Sequence, residues 1–372
     1  MSAALDPPRE ALDAWLQWRT ASADPWDDPV AIRWLPLIGW NLKDIAIDRE
    51  RAAFQDAWRR IWSSNRRLLA SAAPILDALT AAGIRVLVLK GAALAWAVYE
   101  TPALRPIGDV DILVSPADVL RARAILASHG WLPLRTIREA DVMTRHALDY
   151  RKPPYGALDL HWHLHHECCW PDADAAIWQR AVPFPGEPRG LLMLCPADQL
   201  MQICIHGLRW SPVHSAHWIA DAAHIIRRSG AALDWSVVID ESRRRRMTLQ
   251  VREALHLVHD RARVEIPAAA LKALDAEPTS WRDRAELHVK VRPVQSAGGM
   301  FLLWCGWSRL RQASAAPTPG FLRFLGAAVG VDSLPGLVPW AARHATRRIH
   351  LGSNANRRAG ASRQTTLGGG AN

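Results

Sequence analysis

One change of hydrophobic period constrains this chain more than any other feature, and it falls at Gly83. Before it, Leu12, Trp15 and Leu16, then Ala53, Phe54, Ala57, Trp58 and Ile61, recur at three-four spacing, the pattern of helices with one buried stripe. After it, residues 84–89 form a short, almost continuous apolar run that stops at Lys90-Gly91, as a strand buried on both faces does. Residues 92–99 and 116–129 then read as helices, and 110–114, 131–136, 142–149 and 157–163 as strands. Helical spacing returns after Pro171, over 196–208, 214–228, 235–245 and 247–261. The expected fold class is α+β: a mixed sheet with flanking helices, a helical N-terminal cover and an all-helical C-terminal region. The expected boundaries are 1–82, 83–170 and 171–348, with 349–372 as a basic tail. That tail has almost no large apolar residue and is expected to be disordered.

Composition narrows the partners. The chain carries 41 Arg against 5 Lys and 19 Trp against 5 Phe and 3 Tyr, so each lysine stands out, Lys90 among them. Net charge is +10, but six arginines follow Asp332, the last acid, and leave the body close to balance. Such a tail is a loose ionic surface before it is a nucleic-acid site. Five cysteines in odd number, with no CxxC spacing, fit neither a disulfide scaffold nor a zinc finger. The N-terminus opens with acids and prolines rather than an apolar signal core, and no greasy stretch reaches the roughly 20 residues of a spanning helix. A cytoplasmic protein is expected. There is no GxSxG elbow, Walker lysine loop or strand-linked GxGxxG, which leaves hydrolase, ATPase and dehydrogenase readings without support.

The residues that point to chemistry lie around the sheet. In the strand containing Asp109-Val110-Asp111, alternation puts both carboxylates on one face, where they repel unless a cation or shared proton compensates. A divalent metal is the common remedy. In Leu158-Asp159-Leu160-His161-Trp162-His163-Leu164 the leucines and Trp162 take one face, and Asp159, His161 and His163 the other. Asp159 on a neighbouring strand would complete a three-carboxylate site. Lys90 and Gly91, at a strand-to-helix turn, would offer a cation and backbone N–H groups to phosphate.

Those parts resemble the DNA polymerase beta-like nucleotidyltransferase superfamily, and within it a bacterial nucleotidyltransferase family. Leu89-Lys90-Gly91, Arg105, Asp109-Val110-Asp111 and Asp159-Leu160-His161-Trp162 stand where that family has its turn, its arginine and its two acidic strands. Cys195-Pro196-Ala197-Asp198, His206, Trp218-Ile219-Ala220-Asp221 and Asp234-Trp235 look like its helical region, so the resemblance spans about residues 82–261. The sequence departs from it at Ala92, where Ser or Gly is usual, and in the 16 residues between Ala92 and Asp109. What the resemblance implies is an NTP-binding enzyme with two Mg²⁺ ions, or Mn²⁺, held by Asp109, Asp111 and Asp159. Lys90, Gly91, Ala92 and Arg105 would bind the nucleotide, and His161, His206 and Asp221 would position substrate. The acceptor, whether small molecule, peptide or protein, is left open.

Each feature has a plainer reading. Asp109 and Asp111 can be a solvated edge, Lys90 a surface cation, Arg105 a loop brace, and His206 and Asp221 an interhelical contact. His161, His163, His165, His166, Cys168 and Cys169 invite zinc, but strand alternation already accounts for His161 and His163 as residues lining the cleft of Asp159. A catalytically silent nucleotide- or protein-binding relative is the first alternative. A nucleic-acid-binding protein, suggested by the tail and the tryptophans, is the second.

Overall fold

The computed structural model describes residues 1–21, 28, 30–45, 48–136, 142, 144–210, 216–293, 296–314, 318–331, 333 and 335–339; the basic tail lies outside them. The N-terminal helices are α1 (Ser2–Leu5), α2 (Pro8–Ala21), α3 (Leu35–Asn41) and α4 (Asp48–Ala81). The α/β part follows as β1 (Leu87–Val88), α5 (Lys90–Ala97), β2 (Val110–Leu113), α6 (Val119–Ser128), β3 (Leu132–Pro133), β4 (Ala147–Lys152), β5 (Gly156–His161), α7 (Ala175–Arg180), β6 (Val182–Pro183) and β7 (Leu192–Met193). Helices then follow as α8 (Pro196–Gly207), α9 (His217–Ser229), α10 (Trp235–Arg244), α11 (Thr248–Ala262), α12 (Ala268–Asp275), α13 (Trp281–Lys290), α14 (Ser296–Ala313) and α15 (Phe321–Val329).

The seven strands make one mixed sheet in the order β3-β4-β5-β2-β1-β7-β6. β2 and β5 are parallel, as are β1 and β7, and the remaining pairs are antiparallel. The α+β class expected from the period change is therefore the observed one. Two strands escaped the sequence reading. β6 and β7 are two residues each, too short for alternation to register, and they enter the sheet only because β7 pairs with β1.

Strand parity decides what each face meets. Val110, Ile112, Leu158 and Leu160 point into a core shared with Leu68, Ala72, Ile75 and Leu79 of α4 and with α6. Asp111, Leu113, Asp159 and His161 therefore face the other way. Gly156 closes the β4–β5 hairpin: a Cβ there would lie 2.7 Å from the Lys152 carbonyl oxygen and 2.9 Å from Ser71 Oγ, so only glycine lets α4 seat against the turn.

The first turns of the chain do not cap the sheet alone. Trp15, Leu35, Leu37, Leu42 and Phe54 belong to the same core as Leu200, Cys204, Ile219, Ala223, Val251 and Leu255 of α8, α9 and α11. α4 reaches both cores, with Phe54 and Ala57 in this one and Leu68 to Leu79 in the sheet core. At about 1.5 Å per residue its 34 residues extend about 50 Å, enough to tie the two together. Trp15, Trp131 and Trp162 are fully buried, which removes them from any base-stacking platform. Among the described residues no helix is long and apolar enough to cross a membrane.

Candidate active site

β1 delivers its chain to the site through a hydrogen bond from the Leu89 N–H to the Asp111 carbonyl, 2.9 Å. The next residue, Lys90, has φ +46°, a left-handed conformation that a side chain makes costly by about 1–2 kcal/mol. Sequence reading gives such a position to glycine, yet Gly91 beside it is not the positive-φ residue. The ammonium that results from this turn meets a carboxylate: Lys90 Nζ donates to Asp111 Oδ1 at 2.6 Å and lies 3.4 Å from His161 Nε2.

The register of β2 on β5 sets the rest. Asp111 stands opposite Asp159, and Leu113 opposite His161. His161 Nε2 is thereby 2.9 Å from Asp159 Oδ2 and 3.2 Å from Asp111 Oδ1, bridging the two acids. Its Nδ1 is buried with no hydrogen-bond partner among the described residues. Burial alone would push Asp111 up, but Lys90 and the His161 hydrogen bond outweigh it and hold the carboxyl well below the usual range. Burial and Lys90 oppose protonation of His161, and its hydrogen bonds to Asp111 and Asp159 raise its pKa nonetheless. Lys90 is raised too, because Asp111 more than offsets its burial.

Asp109 differs from Asp111. It precedes β2, is half-buried, and has its pKa pushed up to about 6 by burial first and by Asp111 second. The three groups whose ligand atoms converge, all within 4.8 Å of one another, are Asp111, Asp159 and His161. Two carboxylates and an imidazole suit a divalent ion, and contacts near 3 Å match neighbouring donors around an octahedral ion at about 2.1 Å. These residues fit a metal.

The other expected residues surround this cluster. Gly91 and Ala92 are buried in the first turn of α5, whose start has no side-chain cap. Arg105 directs Nε and Nη2 at Asp221, at 2.7 and 2.8 Å, and Nη1 at the Pro106 carbonyl. Tyr99, in the turn after α5, donates to the same Asp221 at 2.7 Å, so Asp221 on α9 ties together that turn, the loop before β2 and the helical region. His206 on α8 is exposed at the surface, yet the surrounding protein first and the Lys90 charge second lower its pKa to about 3.

His163 is a correction to the sequence reading. β5 ends at His161, the alternation is lost, and His163 Nδ1 lies 3.7 Å from Asp174 Oδ2 in a separate cavity of about 460 Å³ with Arg85, Asp118 and Trp178. Leu164 likewise leaves the face of Leu158 and packs with Leu87 and Leu113. Burial raises the Cys168 thiol to about 11, which keeps it protonated and poor as a zinc ligand.

Two contributors went unnoticed in the sequence. Asn65 is buried on α4, where its Nδ2 donates to the Pro102 and Arg105 carbonyls and its Oδ1 accepts from the Ile107 N–H. It clamps the loop that leads to Asp109. Its signal was an amide standing three residues before Leu68 on the helix's apolar stripe. His146 packs edge-on to His161 at 5.3 Å and is kept neutral by burial and by the His161 charge, forming a wall behind the cluster.

The model of one protein family, described as an uncharacterised nucleotidyltransferase, matches residues 33–263, well over half the chain. No curated protein matches. Among solved structures the chain is similar to an antigenic nucleotidyltransferase-like protein from Paracoccidioides brasiliensis, at 16% identity and a TM-score of 0.36, over 55% of this chain and 92% of that one.

Proposed function

Because the chain belongs to the uncharacterised nucleotidyltransferase family, we propose that its cleft moves a nucleoside monophosphate from an NTP to a hydroxyl- or phosphate-bearing acceptor. The observation that carries this reading is the convergence of Asp111, Asp159 and His161 beside Lys90, at the uncapped start of a helix. Such a site is the chemistry of the DNA polymerase beta-like superfamily. A divalent ion, Mg²⁺ or Mn²⁺, held by Asp111, Asp159 and His161, with Asp109 for a second, would screen the triphosphate and acidify the acceptor.

The chain's own groups supply the rest. Lys90, a compact ammonium on a flexible stem, turns from Asp111 to a phosphate oxygen once that charge is shared. The first-turn N–H groups of Gly91 and Ala92 hold further phosphate oxygens, which the positive end of α5 favours. The acceptor oxygen attacks the α-phosphorus, its proton passes to the Asp159 carboxylate, and the bond to the leaving pyrophosphate breaks. His161 fixes both carboxylates, and Arg105 with Asp221 keeps the helical wall in register with the sheet. Neutral His206, within electrostatic reach of Lys90, Asp111 and His161, is the group proposed to meet the acceptor.

A second reading has one observation in its favour. Lys90 and His161 already neutralise Asp111 and bridge it to Asp159, so the cluster is electrostatically satisfied by itself, as in a silent relative that binds nucleotide without turning it over. Pyrophosphate release from each NTP, measured with Mg²⁺ or Mn²⁺ and a panel of small-molecule, peptide and protein acceptors, separates the two. Transfer requires metal-dependent pyrophosphate that disappears in Asp111→Asn. Nucleotide binding without pyrophosphate supports the silent relative, and orthophosphate release would replace transfer by hydrolysis.

A further inference from the structure

Among the described residues Arg33 is a cation without a pairing partner. It ends a short 3₁₀ turn, Ala31–Arg33, between α2 and α3, and its Nε is buried without a hydrogen-bond partner. Among the described residues its guanidinium has neither an ion pair nor a hydrogen bond. Arg33 is half-buried, and its buried Nε, left without a partner, costs stability unless something arrives to meet it.

Its position is fixed from both sides. His217 Nε2 donates to the Arg33 carbonyl at 3.1 Å, and the ring of the next residue, Trp34, stacks on His217 with centroids 3.9 Å apart. His217 lies one helical turn before Asp221 on α9, and Asp221 holds Arg105. Arg33 is thus anchored to α9 through its own carbonyl, within electrostatic reach of Arg105, Asp221 and Asp109. The charges that reach it agree: burial lowers its pKa, Arg105 lowers it further, and Asp109 and Asp221 oppose. Asp221 is engaged by Arg105 and Tyr99, and among the described residues no ion pair joins it to Arg33. Arg105, the arginine nearest the motif in sequence, has all three guanidinium nitrogens engaged, whereas Arg33 has its donors available.

We propose that Arg33, presented by the N-terminal helical segment, binds the polyphosphate of the donor. The proposal rests on the nucleotidyl-transfer reading, and it assigns to the N-terminal segment a direct part in donor binding. It also accounts for an arginine there: a planar fork can take two oxygens of one phosphate, while Lys90 meets them as a point charge.

The test uses the full chain and inorganic tripolyphosphate with Mg²⁺, which needs no knowledge of the base. Calorimetric affinities are measured for wild type, Arg33→Gln and Arg33→Lys, together with Mn²⁺ affinity and the melting temperature without ligand. Arg33→Gln is expected to weaken tripolyphosphate about 10- to 100-fold, the value of one charge-assisted hydrogen-bonding group, and Arg33→Lys to recover part of it. Mn²⁺ affinity should be unchanged, and the melting temperature unchanged or higher, because no ion pair is lost. Equal tripolyphosphate affinity in wild type and Arg33→Gln overturns the inference and leaves the transfer reading standing. Joint loss of melting temperature, Mn²⁺ and tripolyphosphate affinity also overturns it, by making Arg33 a brace for the segment. A wild type that binds Mn²⁺ but neither tripolyphosphate nor any NTP sinks both.

Discussion

Asp109 and Asp111 look equivalent in sequence and are opposites in the fold. Parity puts them on one face, and from sequence alone replacing either by Asn should relieve repulsion and leave stability equal or higher. The expectation stands unchanged for Asp109, which has no ion-pair partner among the described residues and a pKa pushed up to about 6. Asp111 is the counter-ion of Lys90, and both side chains are largely buried. Asp109→Asn is therefore expected to leave the melting temperature unchanged or raise it, while Asp111→Asn lowers stability by about 3 kcal/mol, the usual cost of leaving a buried charge unpaired. Denaturant unfolding of the two variants checks this; equal effects would remove the Lys90–Asp111 pair from the account. The acids, the lysine and the glycine turn were legible because residue type and strand parity are written in the chain. That His161 joins Asp111 and Asp159 was not, because it depends on the register of β2 against β5, which no local pattern encodes.

At the scale of elements, a few buried polar contacts hold the cleft. Asp221 joins α9 to the turn after α5 and to the loop before β2, so Asp221→Asn should weaken one clamp shared by three segments. A loss of about 3 kcal/mol in unfolding free energy is expected, and Arg105→Gln should add little to it, since the two variants break the same pair. Additive losses would show that each residue acts alone. The exit of β5 carries a pH dependence. Burial, and after it Arg245, pushes the His165 pKa down to about 3, against about 6.5 in an unfolded chain. Below pH 6.5 the unfolded chain takes up a proton that the folded chain refuses, so stability falls as pH drops from 6.5 towards 3. From pH 7.5 to 5 the loss from this residue is about 2 kcal/mol, and His165→Gln should flatten the stability profile by that amount. An unchanged slope would mean that His165 is hydrated in the fold. Long helices and alternating strands could be read from the sequence, but the end of β5 at His161 could not. The chain keeps alternating polar and apolar residues to Leu164 after pairing has stopped.

The whole molecule is held by cores and charges that cross its sequence divisions. N-terminal helices share one core with α8, α9 and α11, so the period change at Gly83 marks a change of architecture within a continuous interior. The C-terminal helices are tied back by a buried network. Lys290 on α13 meets Glu167 and Glu286 at 2.8 Å each and the Gln250 side chain at 3.0 Å, while Arg309 on α14 takes the other side of Glu286. The scarcity of lysine singled out Lys90, and it applies equally to Lys290, which is 6% exposed; no neighbouring motif drew attention to it. Lys290→Met should destabilise the chain by about 3 kcal/mol, since two buried carboxylates each lose a partner, and should loosen α13 and α14 in hydrogen exchange before the sheet. Simultaneous exchange of all helices and strands would contradict that order.

The central claim concerns Asp159 on its strand beside Asp111, and single-turnover pyrophosphate release from a bound NTP in the Asp159→Asn variant tests it most directly. With Asp111, Asp109 and Lys90 intact, NTP affinity in the presence of Mg²⁺ is expected to stay within a few-fold of wild type, while the rate of the bound nucleotide falls about 100-fold or more for want of the proton acceptor. A variant that turns over bound NTP at the wild-type rate, or one that loses binding with no specific loss of rate, would contradict it and return Asp159 to a structural place in the sheet.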